Sequence, residues 1–564
     1  MSRKFLTTEE AFDYLMSLAD ESDDSDPEMI ILPPDPDIVT DDEEIDDACT
    51  SIEHGHAIFD EKLQGETAGS IEILKEKNDA EFISTPKWTN RTPKFSSAPE
   101  SFYNEHHQKI TDKISGKSPL ELFEMMAEKM IAQAVEESNK YAGQKNNHDF
   151  CLKIDEFKQY LGIIFYSGIH ILPREKMYWE NAPDTGTTLV SQAMSRKRYF
   201  DIKKYLHFND NTAIDSDRYY NVRPIYILLN EALQQFGVFA EHLSIDERMV
   251  RYFGRHGCKM YMKGKPVKFG YKLWILSSFD GYPFHIIPYQ GAQKENGSEN
   301  SSERLDKAMK SKKEKKTLSQ TVVENLLSVV ETPAKHKIYM DNFFTSYDLL
   351  VSLRDKRFFA TGTVRENRMA KCPLKSSKIL GKMDRGTSDR KFDTKNEIAA
   401  VRWNDNRVVS LITNFEDTRC FTKVERRMKG GKQKVDVPSC VVSYNKYKNG
   451  VDLFDNHMET YSSSIQGKKW YWPLFVNAFE TSLVATWKIS KFFAPEQALD
   501  LLEFRRHITI AYLGLCVPRN IAGRNLSIQQ KNPDYLKLQS EHILVKNPNG
   551  KQRRCQLKNC TKKH

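Results

Sequence analysis

The 564-residue chain lacks any long hydrophobic run, and its longest apolar stretch, Leu161 to Leu172, is interrupted by Ser167, Gly168 and His170. A membrane-spanning helix requires roughly 20 consecutive apolar residues, so no span and no membrane partner are expected. The opening MSRKFLTTEEAFDYL has no apolar core before its acids begin, and secretion is not expected either. Cysteine is sparse, with nine in the whole chain at irregular spacing, which excludes a disulfide scaffold and suits a reducing, cytosolic or nuclear compartment. No internal repeat is visible, which excludes solenoids and propellers.

What is present is charge, distributed unevenly. The net charge is +7, yet residues 1–60 hold 19 Asp/Glu against 2 Lys/Arg, leaving 82 Lys/Arg against 58 Asp/Glu over residues 61–564. A body carrying an excess of +24 favours a polyanionic partner, because each phosphate neutralised by Lys or Arg releases condensed counterions. A merely basic soluble protein is the alternative reading of that composition.

The acidic arm, with its run PPDPDIVTDDEEIDD, has too few large apolar residues to offset the entropy of ordering it, so residues 1–110 read as a disordered arm and linker. Within it, Phe5 to Leu18 has the spacing of a short amphipathic helix, and STPKWTNRTPKFSSAP, from Ser84 to Pro99, reads as a basic linker. From Pro119 the apolar spacing becomes helical at Leu122, Met126, Met130 and Val135, and a second helix is expected from Ile154 to Gly168. At Leu243 the texture changes to short runs rich in Ile, Tyr and Phe, which predict strands. IAAVRWNDNRVVSLIT predicts a hairpin, and helix returns after Val451. The expected class is mixed α/β.

Three acids stand at pointed places. Asp246 lies on the first strong strand, Asp341 at the end of KIYM, and Asp452 at the start of a helix in NGVDLFDNHM, at intervals of 95 and 111 residues. If folding brings them together, three carboxylates can position a pair of divalent cations, and two such ions roughly 4 Å apart can activate an attacking oxygen and stabilise a leaving one. Each acid also has an ordinary reading. Asp246 could pair with Arg248 or Arg251, Asp341 could cap a helix near Phe343, and Asp452 and Asp455 could be first-turn acids, Asp455 sharing the helix face of Asp452.

The blocks SIDERMVRYFGRHGCKMYMKGKPVKFGYKLW, KIYMDNFFTSYDLL, ATGTVREN, VRWNDNRVVSLIT and YNKYKNGVDLFDNHMETYSSSIQGKKWYW resemble the piggyBac family of transposases and their host-retained derivatives. The likeness implies an RNase H-like catalytic core (residues 242–365 and 437–461) interrupted by an insertion domain (366–436). A helical dimerisation and DNA-binding domain (111–241 and 462–530) flanks that core, and a tail (531–564) follows. It also implies a catalytic triad of Asp246, Asp341 and Asp452 with Asp455 as the accompanying metal acid. Mg²⁺ or Mn²⁺ would be the cofactor, DNA the partner, a homodimer the working form, TTAA the target and the nucleus the location. The chain departs from the family at its end, where Cys555, Cys560 and His564 supply three of the four ligands a structural zinc requires. It departs again at Asn449, where a glycine is usual, and in the loop Gly291 to Lys316. For DNA contact the residues singled out are Arg251, Arg255, Lys259, Lys263, Lys265 and Lys268, interleaved with Tyr252, Phe253, Tyr261 and Phe269. A second patch is Lys468 and Lys469 beside Trp470 and Trp472. In both, cations would hold phosphates while aromatics stack; a solvated face is the alternative. Lys310 to Lys316 reads as a localisation signal, a DNA tether or a solvated loop.

Overall fold

The computed structural model describes residues 28–32, 70–74, 85–102, 107–213, 217–262, 265–291, 317–428 and 431–515. The expected helix at Phe5–Leu18, Lys263, the lysine cluster Lys310–Lys316 and the ligands Cys555, Cys560 and His564 lie outside these residues.

Among the described residues six α-helices precede the main strands: α1 (His107–Ile114), α2 (Pro119–Gln144), α3 (Ile154–Ser167), α4 (Thr188–Ala193), α5 (Arg196–Tyr205) and α6 (Arg223–Gln234). The start of α2 is specified locally. Ser118 caps it, Glu121 completes a reciprocal capping box, and Pro119 occupies the first turn. Its buried stripe includes Leu122, Met126 and Met130, the residues whose spacing predicts the helix. Two C-terminal helices, α12 (Trp472–Phe493) and α13 (Leu501–Leu513), pack among these first helices, with α12 buried along most of its length. Arg505 of α13 forms a bidentate pair with Glu480 of α12 at 2.5 and 2.6 Å, in a site where both side chains are less than 5% exposed. Ser463 donates a further hydrogen bond to Glu480, and Arg505 donates to the Phe165 carbonyl.

The sheet is built around β4 (His242–Arg251), β6 (Phe269–Ser278), β7 (Pro283–Pro288), β8 (Lys337–Met340) and β9 (Phe359–Thr363). β4, β6 and β7 are consecutive antiparallel neighbours, whereas β4, β8 and β9 run parallel. Parallel neighbours need a crossover. One arrives at β8 through α7 (Leu318–Leu327), and α8 (Tyr347–Asp355) carries the chain from β8 to β9. This mixed arrangement is consistent with an RNase H-like architecture.

The segment expected as an insertion continues the same sheet. β10 (Ser388–Asp393), β11 (Ile398–Asn404) and β12 (Val408–Thr413) follow, with the short helix α9 (Ser377–Leu380) before them, and β12 pairs with β9. The hairpin of β11 and β12 turns at Asp405–Arg407, as its sequence predicts. β13 (Phe421–Met428) and β14 (Gly431–Pro438) form a separate two-stranded ribbon. The chain then re-enters helix through α10 (Ser439–Tyr447) and α11 (Gly450–Thr460).

Parts of residues 1–110, expected to be a disordered arm and linker, supply three short strands to the edges of the sheet, and most of the arm lies outside the described residues. β1 (Glu28–Leu32) and β2 (Ser70–Leu74) pair with each other, and β1 pairs with β5 (Met260–Tyr261). At the opposite edge β3 (Trp88–Thr89) pairs with β10. The expected linker is a docked strap: Trp88 donates to the Ala370 carbonyl at 3.3 Å and packs on Tyr347, Phe95 meets Phe392, and Phe102 meets His336. Aromatic burial and a free strand edge outweigh what the Pro and Ser content favours.

Candidate active site

Asp246 and Asp341 are brought level by strand register. In the parallel pair of β4 and β8 the last matched residues are Ile245 and Met340, so each acid is the next residue along its strand. β8 ends at Met340, so Asp341 lies just beyond its carboxyl end, where ligands of open α/β sheets gather, beside the mid-strand Asp246. Asp341 opens a turn whose backbone it organises: its Oδ1 accepts from the Phe343 N–H at 3.0 Å, and its carbonyl accepts from the Thr345 hydroxyl at 2.7 Å. The helix that follows, α8, is capped by Ser346, so Asp341 caps this turn and not the helix. Beneath the turn Phe343 stacks on Trp274 at 5.3 Å, with the fully buried Lys272 ammonium over both rings.

The third acid arrives on α11, which packs across β4 and β6. That approach depends on Gly450, because a Cβ there would overlap the Ser278 carbonyl and crowd Ser277 and Ser244. Asn449 sits at φ −88°, ψ 19°, a conformation open to any residue, which explains why a glycine is dispensable at that position. Asp452 is exposed on the first turn. Asp455 is engaged by Arg248 Nε of β4, and Arg248 Nη1 is buried without a hydrogen-bond partner among the described residues.

Electrostatics ties the three acids together. Burial and then the Glu247 charge push Asp246 well above the usual carboxylate range, with Asp341 contributing and Lys265 opposing. Burial and Glu247 likewise raise Asp341 to about 6. Tyr444 on α10 is raised first by its own burial and then by the charges of Asp341, Asp246 and Asp452 together. Lys265 Nζ lies 3.2 Å from Glu247 and 3.9 Å from Asp246, and its proton is held by Asp246, Glu247 and Asp452 against the cost of burial. Glu247 stays ionised despite burial because Lys272 and Lys265 face it. Among the described residues no three carboxylate, histidine or thiol groups are closed to the spacing of a bound ion. The donor chemistry still fits a hard divalent cation, since crowded oxygen ligands that raise one another's proton affinity are what such an ion neutralises.

The basic residues separate into distinct environments. Arg251, Arg255 and Lys268 are exposed around a loop in which Phe253 is 63% exposed. Lys259 is buried, and Lys265 is drawn into the acid cluster. Lys468 is exposed, whereas Lys469 donates to the carbonyls of Lys204 and Leu206 and so satisfies the C-terminal end of α5. The two patches, about 200 residues apart in sequence, are joined where His256 stacks on Trp470 at 3.9 Å and Tyr271 donates to the Trp470 carbonyl. Sequence reading missed Glu247, Lys272 and Tyr444 as neighbours of the acids. Glu247 was adjacent in SIDE, but only the fold reveals that Lys272 and Tyr444 approach.

Comparison with known proteins identifies the family. Residues 118–487 match the family described as Transposase IS4. The chain is 36% identical over 445 residues to human (Homo sapiens) PiggyBac transposable element-derived protein 3, covering 78% of this chain and 72% of the relative. It is 33% identical over 473 residues to human PiggyBac transposable element-derived protein 2, covering 82% and 76%. In structure it is similar to a piggyBac transposase solved as a synaptic complex with hairpin DNA, with a TM-score of 0.57 and 19% identity over 77% of this chain and 92% of that one, a likeness of fold. The chain belongs to the piggyBac transposase family.

Proposed function

We infer that this chain is a metal-dependent DNA strand-cleaving and strand-transferring transposase acting at TTAA sites. Asp246, Asp341 and Asp452 would hold two Mg²⁺ or Mn²⁺ ions, with Asp455 assisting once released from Arg248. The carrying observation is the level placement of Asp246 and Asp341 on adjacent parallel strands, with Asp452 close enough to act on the same tyrosine. When bound, the ions supply charge stabilisation to the attacking and leaving oxygens of a phosphodiester. The chain's own groups orient the substrate: Arg251, Arg255 and Lys268 hold phosphates, while Phe253 and the His256–Trp470 stack present aromatic surface beside them. Lys265 balances the carboxylates before substrate enters. A homodimer working in the nucleus is part of the same proposal. The test is strand cleavage of a TTAA-bearing duplex in Mg²⁺. Asp341→Asn should abolish cleavage and leave duplex binding intact; undiminished cleavage by this variant overturns the assignment.

A second reading is a host-retained DNA-binding protein without transposition, favoured by the ion pair in which Arg248 holds Asp455. Under this reading duplex binding falls steeply with salt, shows no preference for any end sequence, and is accompanied by no cleavage in either metal.

A further inference from the structure

We propose that the ribbon of β13 and β14 is a duplex-DNA contact surface in its own right, laying its outer face into the major groove. The proposal deepens the reading of the chain as a DNA-cleaving protein and rests on it for the identity of the partner.

The ribbon has one anchored face and one bare face. Its register runs from Phe421↔Pro438 to Met428↔Gly431, so alternate residues divide cleanly between the two sides. Val424, Val435 and Val437 face inward onto Trp403, Val401 and Leu411. Trp403 donates to the Asp436 carbonyl at 3.0 Å, Arg385 donates to the Arg427 carbonyl at 3.2 Å, and Asp405 draws in both Arg385 and Arg426. These contacts aim the ribbon, which is notable because a two-stranded hairpin alone is marginally stable in water.

The outer face carries Lys423, Glu425, Arg427, Lys432, Lys434 and Asp436, all exposed. Across the strands Lys423 meets Asp436 and Glu425 meets Lys434, so those charges are balanced within the ribbon. Toward the turn the balance fails, because Arg427 lies directly opposite Lys432. Like charges so placed destabilise a strand pair, and the nearest relief is a 3.9 Å contact from Lys432 to Glu425, with those side chains 78% and 62% exposed. Among the described residues this exposed contact is the one ion pair that either cation makes, so most of their charge is left facing solvent. Phosphates would neutralise it. A two-stranded ribbon fits the major groove, which is about 12 Å wide, and each neutralised phosphate adds counterion release. The placement is also consequential for the acids, since β14 runs directly into α10 and then into α11, which carries Asp452.

The test uses the full chain without divalent metal, a fluorescein-labelled duplex, and anisotropy across a salt series. Arg427→Gln/Lys432→Gln should reduce the slope of log K against log[salt] by about 1.8, the loss of two phosphate contacts, with an unchanged or higher melting temperature. A folded double variant with the wild-type slope overturns the proposal, as does a wild-type chain that does not bind duplex. So does an unchanged slope together with weakened binding of a peptide spanning residues 20–47, which would assign the ribbon to the acidic arm. Because binding is read without metal, a reduced slope in a protein that never cleaves DNA sinks the enzymatic reading and leaves the ribbon assignment standing.

Discussion

Asp341 shows how a single side chain carries both a cost and a function. Its ordinary value is 3.8 and burial, with Glu247, raises it to about 6 in the folded chain. Below 3.8 the folded and unfolded states are both protonated and nothing is lost; as pH rises toward 6 the folded state retains a proton that the unfolded state has given up, and the stabilisation it represents disappears. At pH 7.5 without metal the folded state therefore bears a charge its site disfavours. Asp341→Asn, which keeps an acceptor for the Phe343 N–H, should raise the melting temperature by roughly 2–4 °C at that pH and leave it unchanged near pH 4, as read by thermal scans at the two pH values. Gly450 offers a second case. Gly450→Ala should cost about 1–3 kcal/mol by overpacking and displace Asp452, whereas Asn449→Ala should stay within about 0.5 kcal/mol; denaturant midpoints and cleavage rates distinguish them. The neighbouring residue types were legible in NGVDLFD, but which of them needed to be small was not, because crowding by Ser278 and Ser244 comes from strands far away in sequence.

At the scale of elements, periodic signals place the described helices and strands, whereas composition misplaces the segment 85–102. The helix from Pro119, the helix from Ile154, the strands from Leu243 onward and the hairpin at residues 398–413 all lie where local spacing puts them, since a buried face imposes its period on sequence. The strap at 85–102 was misread from its Pro and Ser content. Its three aromatics report its docking better than its breakers report looseness. Trp88→Ala removes the ring on Tyr347 and the hydrogen bond to Ala370, and should cost about 2–4 kcal/mol, somewhat below a fully buried Trp. Limited proteolysis should then cut within the strap earlier than in the wild type; unaltered protection would show that β3 pairing alone holds it.

For the whole molecule, the helical region is assembled from segments at both ends of the described chain, and Arg505 bridges them, pairing with Glu480 within the C-terminal helices and donating to a carbonyl of the N-terminal ones. Glu480 and Arg505 are buried together, and Arg505 also reaches the Phe165 carbonyl on α3. Arg505→Met should cost about 3–5 kcal/mol by leaving Glu480 charged and unpaired, and a paired Glu480→Met change should restore much of that loss, measured as the non-additivity of denaturation free energies. Failure of the double variant to recover would mean that the hydrogen bonds from Arg505 to backbone, more than the charge pair, unite the helices.

By itself the sequence determined the order and type of most elements, the basic body behind an acidic arm, and the three acids with the blocks around them. These are properties of local periodicity, composition and short motifs, written within a few residues of one another. Only the tertiary structure decided that Asp246 and Asp341 stand level, that Lys265 turns from a surface cation into a partner of carboxylates, that Lys469 closes a helix end, and that the inserted strands prolong the central sheet. Each depends on strand register or on burial between segments that local spacing does not link, from 18 residues apart for Lys265 and Glu247 to 265 for Lys469 and Lys204, and neither register nor burial has a local signature in the chain.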